Sequence, residues 1–296
     1  MITQEKFQTT CSDGVILKGT LILPEKPKAV VQFNAGTAAK KEFYLAFLTC
    51  LAENDYACCL WDYRGSGESA PEDLSKCDYT FSDYGLKDMP AIKVYLKERF
   101  SKLPLLLFVH SAGGQQVGLA ENLDGYIGMV GFAVSTGYLP DMPLANRLQT
   151  AYFFYIFTPL SILLKGYLAA KRFGYMEDLP KNVVLEWRRW CARPDYLFDQ
   201  KFYGKTIPKG HYQNMPFPIH IYWTTDDYIS NKRSVPRYWS HVKSEYAINF
   251  TKLIPAEQQE KSIGHFGFFK KKGKDKFWPM GLAKLDAFLE AHLLES

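Results

Sequence analysis

The sequence predicts a doubly wound α/β fold: a mostly parallel sheet entered through an antiparallel N-terminal hairpin, covered by helices, and interrupted late in the chain by a helical cap insertion. Three observations predict it. Short apolar runs such as 29–34, 57–61 and 103–110 alternate with longer stretches of helical character, which is βαβ construction. The runs are continuously apolar, as in strands buried on both faces. One of them ends at a lone serine, Ser111, followed by Ala112, Gly113 and Gly114, small residues that let a helix start close against the strand.

In chain order, a strand from about residue 5, an Asp13-Gly14 turn and a strand over Val15 to Leu23 read as a hairpin. A buried strand follows at Ala29–Asn34, then Ala35, Gly36, Thr37 and a helix from about Lys40 to Asn54. The next strand, Ala57–Trp61, runs into Asp62-x-Arg64-Gly65-Ser66-Gly67-Glu68-Ser69. This superficially meets a dinucleotide-binding fingerprint, but Pro71 stands where a helix should open and no acidic residue follows on a strand tip. The preferred reading is a glycine-rich turn that sets Arg64 and Glu68 against the sheet. A helix over about Asp83 to Phe100 leads to the strand before Ser111, and Tyr126 to Ser135 supplies another strand.

Residues 138–216 break the alternation with helical runs, prolines and many aromatics, and divide the core into 1–137 and 217–296. They carry 11 Lys/Arg against 6 Asp/Glu, an excess of five that equals the whole chain's +5. Positive charge at a site mouth favours an anionic substrate by electrostatic focusing; a solvated helical face is the plainer reading. The most apolar stretch, Ala151 to Leu164, is interrupted by Thr158-Pro159 and too short to span a membrane, which leaves only weak interfacial contact with lipid as a secondary reading. After Pro216 come a strand over 218–224, Thr225-Asp226-Asp227, a helix over Lys232 to Val242, a strand over Asn249 to Pro255, a glycine-flanked loop with His265, and a last helix over Met280 to Leu294.

The composition, 47% hydrophobic and 23% charged over 296 residues, is that of a soluble globular chain rather than a disordered one. No basic segment with an apolar stretch opens the sequence, so no secretory signal is read. The six cysteines have no Cys-x-x-Cys pair and no histidine at metal spacing, which points to a reducing, cytoplasmic setting and to no metal site. The basic run 270–276 precedes rather than interleaves its aromatics, so nucleic acid is not an expected partner. Oligomeric state is not legible.

Ser111, held on a strained strand-to-helix turn, has a nucleophile's placement. The usual pattern is Gly-x-Ser-x-Gly; here Val109 takes the place of the first glycine, so a neighbouring residue must be small or the turn slightly open. A serine needs a base, and the base an acid that fixes its tautomer. His265 is the best base among six histidines. His110 adjoins the serine and should point away, His220 is inside a strand, and His211, His241 and His292 read as surface positions. The acid is Asp226 or Asp227; Asp226 is preferred because the apolar Ile229 three residues on would anchor its loop. Oxyanion donors are expected from the amides of Ala112 and Gly36, with Ala35 or Thr37 as near alternatives. The function expected is cleavage of an ester or thioester of a small or medium, partly apolar substrate through an acyl-enzyme, with Tyr152, Phe153, Phe154, Trp187 and Trp190 as candidate pocket aromatics. Amide or peptide cleavage and acyl transfer are alternatives on the same residues, and a non-catalytic binding module is the alternative of another class.

The Ser111 elbow, the Asp62-x-Arg64-Gly65-x-Gly67-x-Ser69 block, Asp226 and His265 together resemble the α/β-hydrolase superfamily over about three quarters of the chain. More narrowly, Glu177-Asp178-Leu179-Pro180, Trp187-x-x-Trp190-Cys191-x-x-Pro194-x-Tyr196-Leu197-Phe198 and Gly264-His265-Phe266-Gly267-Phe268-Phe269 resemble a group of uncharacterised bacterial predicted α/β hydrolases whose usual elbow is Gly-His-Ser. The superfamily resemblance implies a Ser-His-Asp hydrolase that uses neither metal nor organic cofactor.

Overall fold

In the computed structural model, which describes residues 1–174 and 176–295, the apolar runs form one eight-stranded sheet. The strands are β1 (Thr3–Thr10), β2 (Ile16–Leu23), β3 (Ala29–Asn34), β4 (Tyr56–Trp61), β5 (Leu105–His110), β6 (Tyr126–Phe132), β7 (Ile219–Thr224) and β8 (Ile248–Leu253). Their spatial order is β1-β2-β4-β3-β5-β6-β7-β8. The β1/β2 hairpin is antiparallel, closing at Thr10 opposite Ile16, and β2 meets β4 antiparallel. From β4 through β8 every pairing is parallel. Every residue of β3, β4 and β5 is buried, as continuously apolar central strands require.

From β3 the chain passes to β4 on one side, then crosses to β5 on the other. Helices therefore leave β3 and β5 in opposite directions, and a crevice opens beyond their carboxyl ends at this reversal. Asn34–Thr37 and Ser111 both lie there.

The helices are α1 (Glu42–Glu53), α2 (Met89–Arg99), the single turn α3 (Ala112–Gln115), α4 (Leu144–Tyr152), α5 (Thr158–Lys165), α6 (Lys181–Cys191), α7 (Ser234–Trp239) and α8 (Trp278–Glu295). An aromatic core joins one face of the sheet to α1, α8 and the 267–269 turn. Phe33 of β3 is in register with Phe108 of β5, and their rings meet Phe47, Phe268 and Phe269 at centroid distances of 4.8 to 6.2 Å. The helix expected over 83–100 and the apolar run 151–164 each contain a π turn, at 84–88 and 153–157. Both π turns end just before a proline, Pro90 or Pro159. A proline inside a helix supplies no N–H and its ring crowds the carbonyl four residues back, so widening the preceding turn lets the helix continue.

Among its described residues the segment between β6 and β7 has no sheet strand; its isolated bridges are Leu168–Leu179, Tyr203–Ile207 and Met215–Ser244. It packs on the loops at the carboxyl ends of the central strands. The Glu177 amide donates to the Ala38 carbonyl (2.9 Å), the Glu186 carboxylate accepts from the Ser82 amide (2.8 Å), and the Tyr196 hydroxyl donates to Oε1 of Gln115 in α3 (3.0 Å). Among the described residues no helix is long and apolar enough to cross a membrane.

Candidate active site

Ser111 has φ +50° and ψ −120°, a conformation that side-chain-bearing residues adopt only when their surroundings enforce it. The elbow is clamped from both sides: the Ser111 amide donates to Phe132 O in β6 (3.0 Å), and its carbonyl accepts from the Gly114 and Gln115 amides that begin α3. A Cβ on Gly113 would stand 2.1 Å from the Asn34 carbonyl oxygen, so this position must be glycine for α3 to approach the loop after β3.

The missing first glycine is compensated across space. A Cβ on Gly114 would lie 2.8 Å from a γ-methyl of Val109, and one on Gly131 of β6 would lie 3.0 Å from that same methyl. Two glycines elsewhere make the room that Val109 occupies, and the elbow is not opened.

Nε2 of His265 lies 2.9 Å from Ser111 Oγ, and Nδ1 lies 2.6 Å from Oδ2 of Asp227. His265 and Asp227 are both buried. The other Asp227 oxygen accepts from the Ile229 amide at 2.7 Å. The expectation for Asp226 is thereby corrected: Asp227 faces the imidazole, and Ile229 anchors Asp227. Asp226 turns away and ties down the loop that carries the histidine. Its carboxylate accepts from the Thr224 hydroxyl (2.6 Å), the Ser262 hydroxyl (2.7 Å) and the amides of Ile263 (2.9 Å) and Gly264 (3.1 Å). Burial pushes the Asp226 carboxyl up, but these donors prevail and hold it below the usual carboxylate value.

His110, expected to point away from the base, instead lies buried against His265, ring centroids 5.0 Å apart, and joins three parts of the site. Nε2 of this buried ring donates to the backbone carbonyl of His265 (2.9 Å). A carbonyl can only accept, so Nε2 carries the proton and Nδ1 accepts from the Tyr44 hydroxyl at 2.7 Å. The Tyr44 oxygen in turn accepts the Gly36 amide at 3.2 Å. A buried chain of hydrogen bonds thus runs from the loop after β3, through α1 and the elbow, to the His265 loop. Burial, reinforced by the neighbouring His265, holds the His110 pKa well below 6.5, so the ring stays neutral and the polarity of the chain is fixed.

The same bond corrects the expectation for Gly36. Its amide is taken by Tyr44 and is not free for an oxyanion, and a Cβ there would press to 2.9 Å from His110 Nδ1. Gly36 is glycine for packing under the elbow. The Ala112 amide is the first N–H of α3, a position with no acceptor inside its own helix.

The five candidate pocket aromatics separate. Phe154 and Trp190 are buried among rings of their own segment and Phe81, and Tyr152 is exposed at 60%. Phe153 and Trp187 are half-buried. Under the site, Arg64 is fully buried: its Nε donates to Asp88 (2.6 Å) and Nη1 to Asp13 (2.7 Å), while Asp62 pairs with Lys41 (2.8 Å). The glycine-rich turn is thus a buried ionic brace. Among the described residues no cluster of three His, Cys, Asp or Glu side chains could hold a metal ion.

Residues 25–151 match the model of the family described as serine aminopeptidase, S33. No curated protein matches significantly. Solved structures resemble the chain over nearly its whole length. An esterase of Pyrococcus furiosus superposes with a TM-score of 0.58 at 15% identity, over 98% of this chain and 93% of that one. A monoacylglycerol lipase of Paleococcus ferrophilus gives 0.57 at 15%, over 97% and 99%. Alpha/beta hydrolase domain-containing protein 10 from mouse gives 0.55 at 14%, over 97% and 99%. The sheet order and the strained serine elbow after β5 give the chain the α/β-hydrolase fold, which these solved structures share.

Proposed function

We propose that the chain is a serine hydrolase that cleaves a carboxylic ester or thioester through an acyl-enzyme on Ser111. The observation that carries this reading is the continuous bond sequence from Ser111 Oγ to His265 (2.9 Å) to Asp227 (2.6 Å). As Oγ attacks the carbonyl carbon, His265 Nε2 takes its proton, and Asp227 at Nδ1 holds the tautomer and steadies the imidazolium. The carbonyl oxygen becomes an oxyanion facing the Ala112 amide and a second amide from the loop after β3, Ala35 or Thr37. When the tetrahedral intermediate collapses, His265 returns the proton to the departing alcohol or thiol. Water then repeats the sequence and releases the acid.

Residues 138–216 act in this reading as the cap, with Phe153 and Trp187 as its pocket rings and its positive charge at the mouth. The esterase and lipase named among the similar structures favour an ester. The aminopeptidase description of the matched family favours an amide as the second reading. A panel of p-nitrophenyl esters of graded acyl length, set beside aminoacyl p-nitroanilides, separates the two. The ester reading expects turnover of esters with a defined length preference and little of the anilides; faster anilide cleavage would replace it with the second reading.

A further inference from the structure

The helices that open the insertion have one buried face and, opposite it, an exposed apolar one. Facing inward on the continuous run α4, π turn and α5, Phe154, Thr158 and Ser161 are buried at helical spacing. Facing outward, Leu144, Leu148, Tyr152, Ile156, Leu160 and Leu164 recur every fourth residue and are all more than half exposed, as is Leu163 at 81%. A strict four-residue repeat drifts by about 40° a step around an α-helix. The wider π turn at 153–157 takes part of that drift back, so the outer residues stay on one side of a run about 33 Å long. Single exposed leucines are ordinary; a continuous ridge marks a contact surface.

The charge around the ridge identifies its partner. From Met142 to Met176 the sequence has four basic residues, Arg147, Lys165, Lys171 and Arg172, and no Asp or Glu. Lys165, Lys171 and Arg172 are exposed just beyond Leu163 and Leu164. Lys171 also pairs with Glu177 at 2.9 Å. Tyr152 and Tyr155 are exposed along the run and have the amphipathic rings found at headgroup depth. A second copy meeting this face about a two-fold axis would set like charges together with no carboxylate in the run to pair them.

We propose that the outer face of residues 144–165 lies flat on an anionic lipid surface, its leucines entering the acyl boundary and its basic residues meeting the headgroups. The proposal does not rest on the catalytic reading, and its test does not use activity. The full chain is sedimented with vesicles of phosphatidylcholine alone and of phosphatidylcholine mixed with phosphatidylglycerol. Binding to the mixed vesicles should exceed binding to the neutral ones by about tenfold or more and should weaken with added salt. Leu163→Asp with Leu164→Asp should cut it at least about tenfold with the circular dichroism spectrum and melting temperature unchanged. Lys165→Glu with Arg172→Glu should abolish the preference for anionic vesicles. No binding to either vesicle, binding that the leucine pair does not alter, or a dimer in sedimentation equilibrium that the leucine pair dissolves would each overturn the proposal.

Discussion

Oδ2 of Asp227 lies 2.6 Å from Nδ1 of His265, while the adjacent Asp226 spends both of its oxygens on the loop that brings the histidine in. The two neighbours therefore differ in what they do for the imidazole. Asp227→Asn leaves the geometry nearly intact but presents an amide where an acceptor is needed, and kcat on an aryl ester should fall by roughly 10³–10⁴. Asp226→Asn keeps one acceptor oxygen for the 262–264 loop and should cost less than about tenfold in kcat. The reverse ranking would return the acid's role to Asp226.

Tyr44 and His110 yield a prediction about stability. Tyr44→Phe strips the acceptor from the Gly36 amide and the donor from Nδ1 of His110, both buried. Urea denaturation should show a loss of about 1–3 kcal/mol, the cost of stranding buried polar groups. An unchanged midpoint would mean that these bonds contribute nothing net.

The positions of the strands and Ser111 were legible because each rests on a local pattern: continuous apolar runs for buried strands, and small residues after a strand for the elbow. His265 was legible by its place between the last strand and the last helix. The choice between Asp226 and Asp227 was not, because it turns on how the chain bends after Thr224, and the anchoring argument from Ile229 pointed one residue too early. Tyr44 was missed for a different reason. Its hydroxyl meets Gly36 and His110 only after α1 folds back against the sheet, and the one local signal was a phenol within an otherwise apolar helical face.

Val109 was read as needing a small neighbour, and Gly114 and Gly131 supply two. Substituting valine by the usual elbow glycine should therefore harm the protein. Val109→Gly leaves a cavity and adds chain entropy in a central strand, so it should destabilise by about 2–4 kcal/mol. Gly131→Ala overpacks the same corner and should cost about 1–3 kcal/mol. Paired melting curves check both, and a Val109→Gly variant more stable than the wild type would refute the packing account.

Two buried histidines predict acid sensitivity. Burial, with Lys284 nearby, pushes His220 down to about 4, and burial holds His110 well below 6.5. Both are neutral in the folded chain, whereas the unfolded chain takes up these protons as pH falls through about 6.5. Below that value the unfolded state binds more protons, so stability is full above it and declines as pH drops toward about 4. Urea midpoints should fall between about pH 7 and pH 5, and His220→Gln should flatten the slope. A midpoint constant over that range would exclude the mechanism.

The most direct measurement is covalent labelling of the folded chain by a fluorophosphonate, which reports a serine hydroxyl activated by its base. Wild-type protein should be labelled at Ser111, with labelling abolished in Ser111→Ala and strongly slowed in His265→Ala. Folded wild-type protein that stays unlabelled, or a Ser111→Ala variant that labels as fast, would contradict the assignment of Ser111 as the nucleophile.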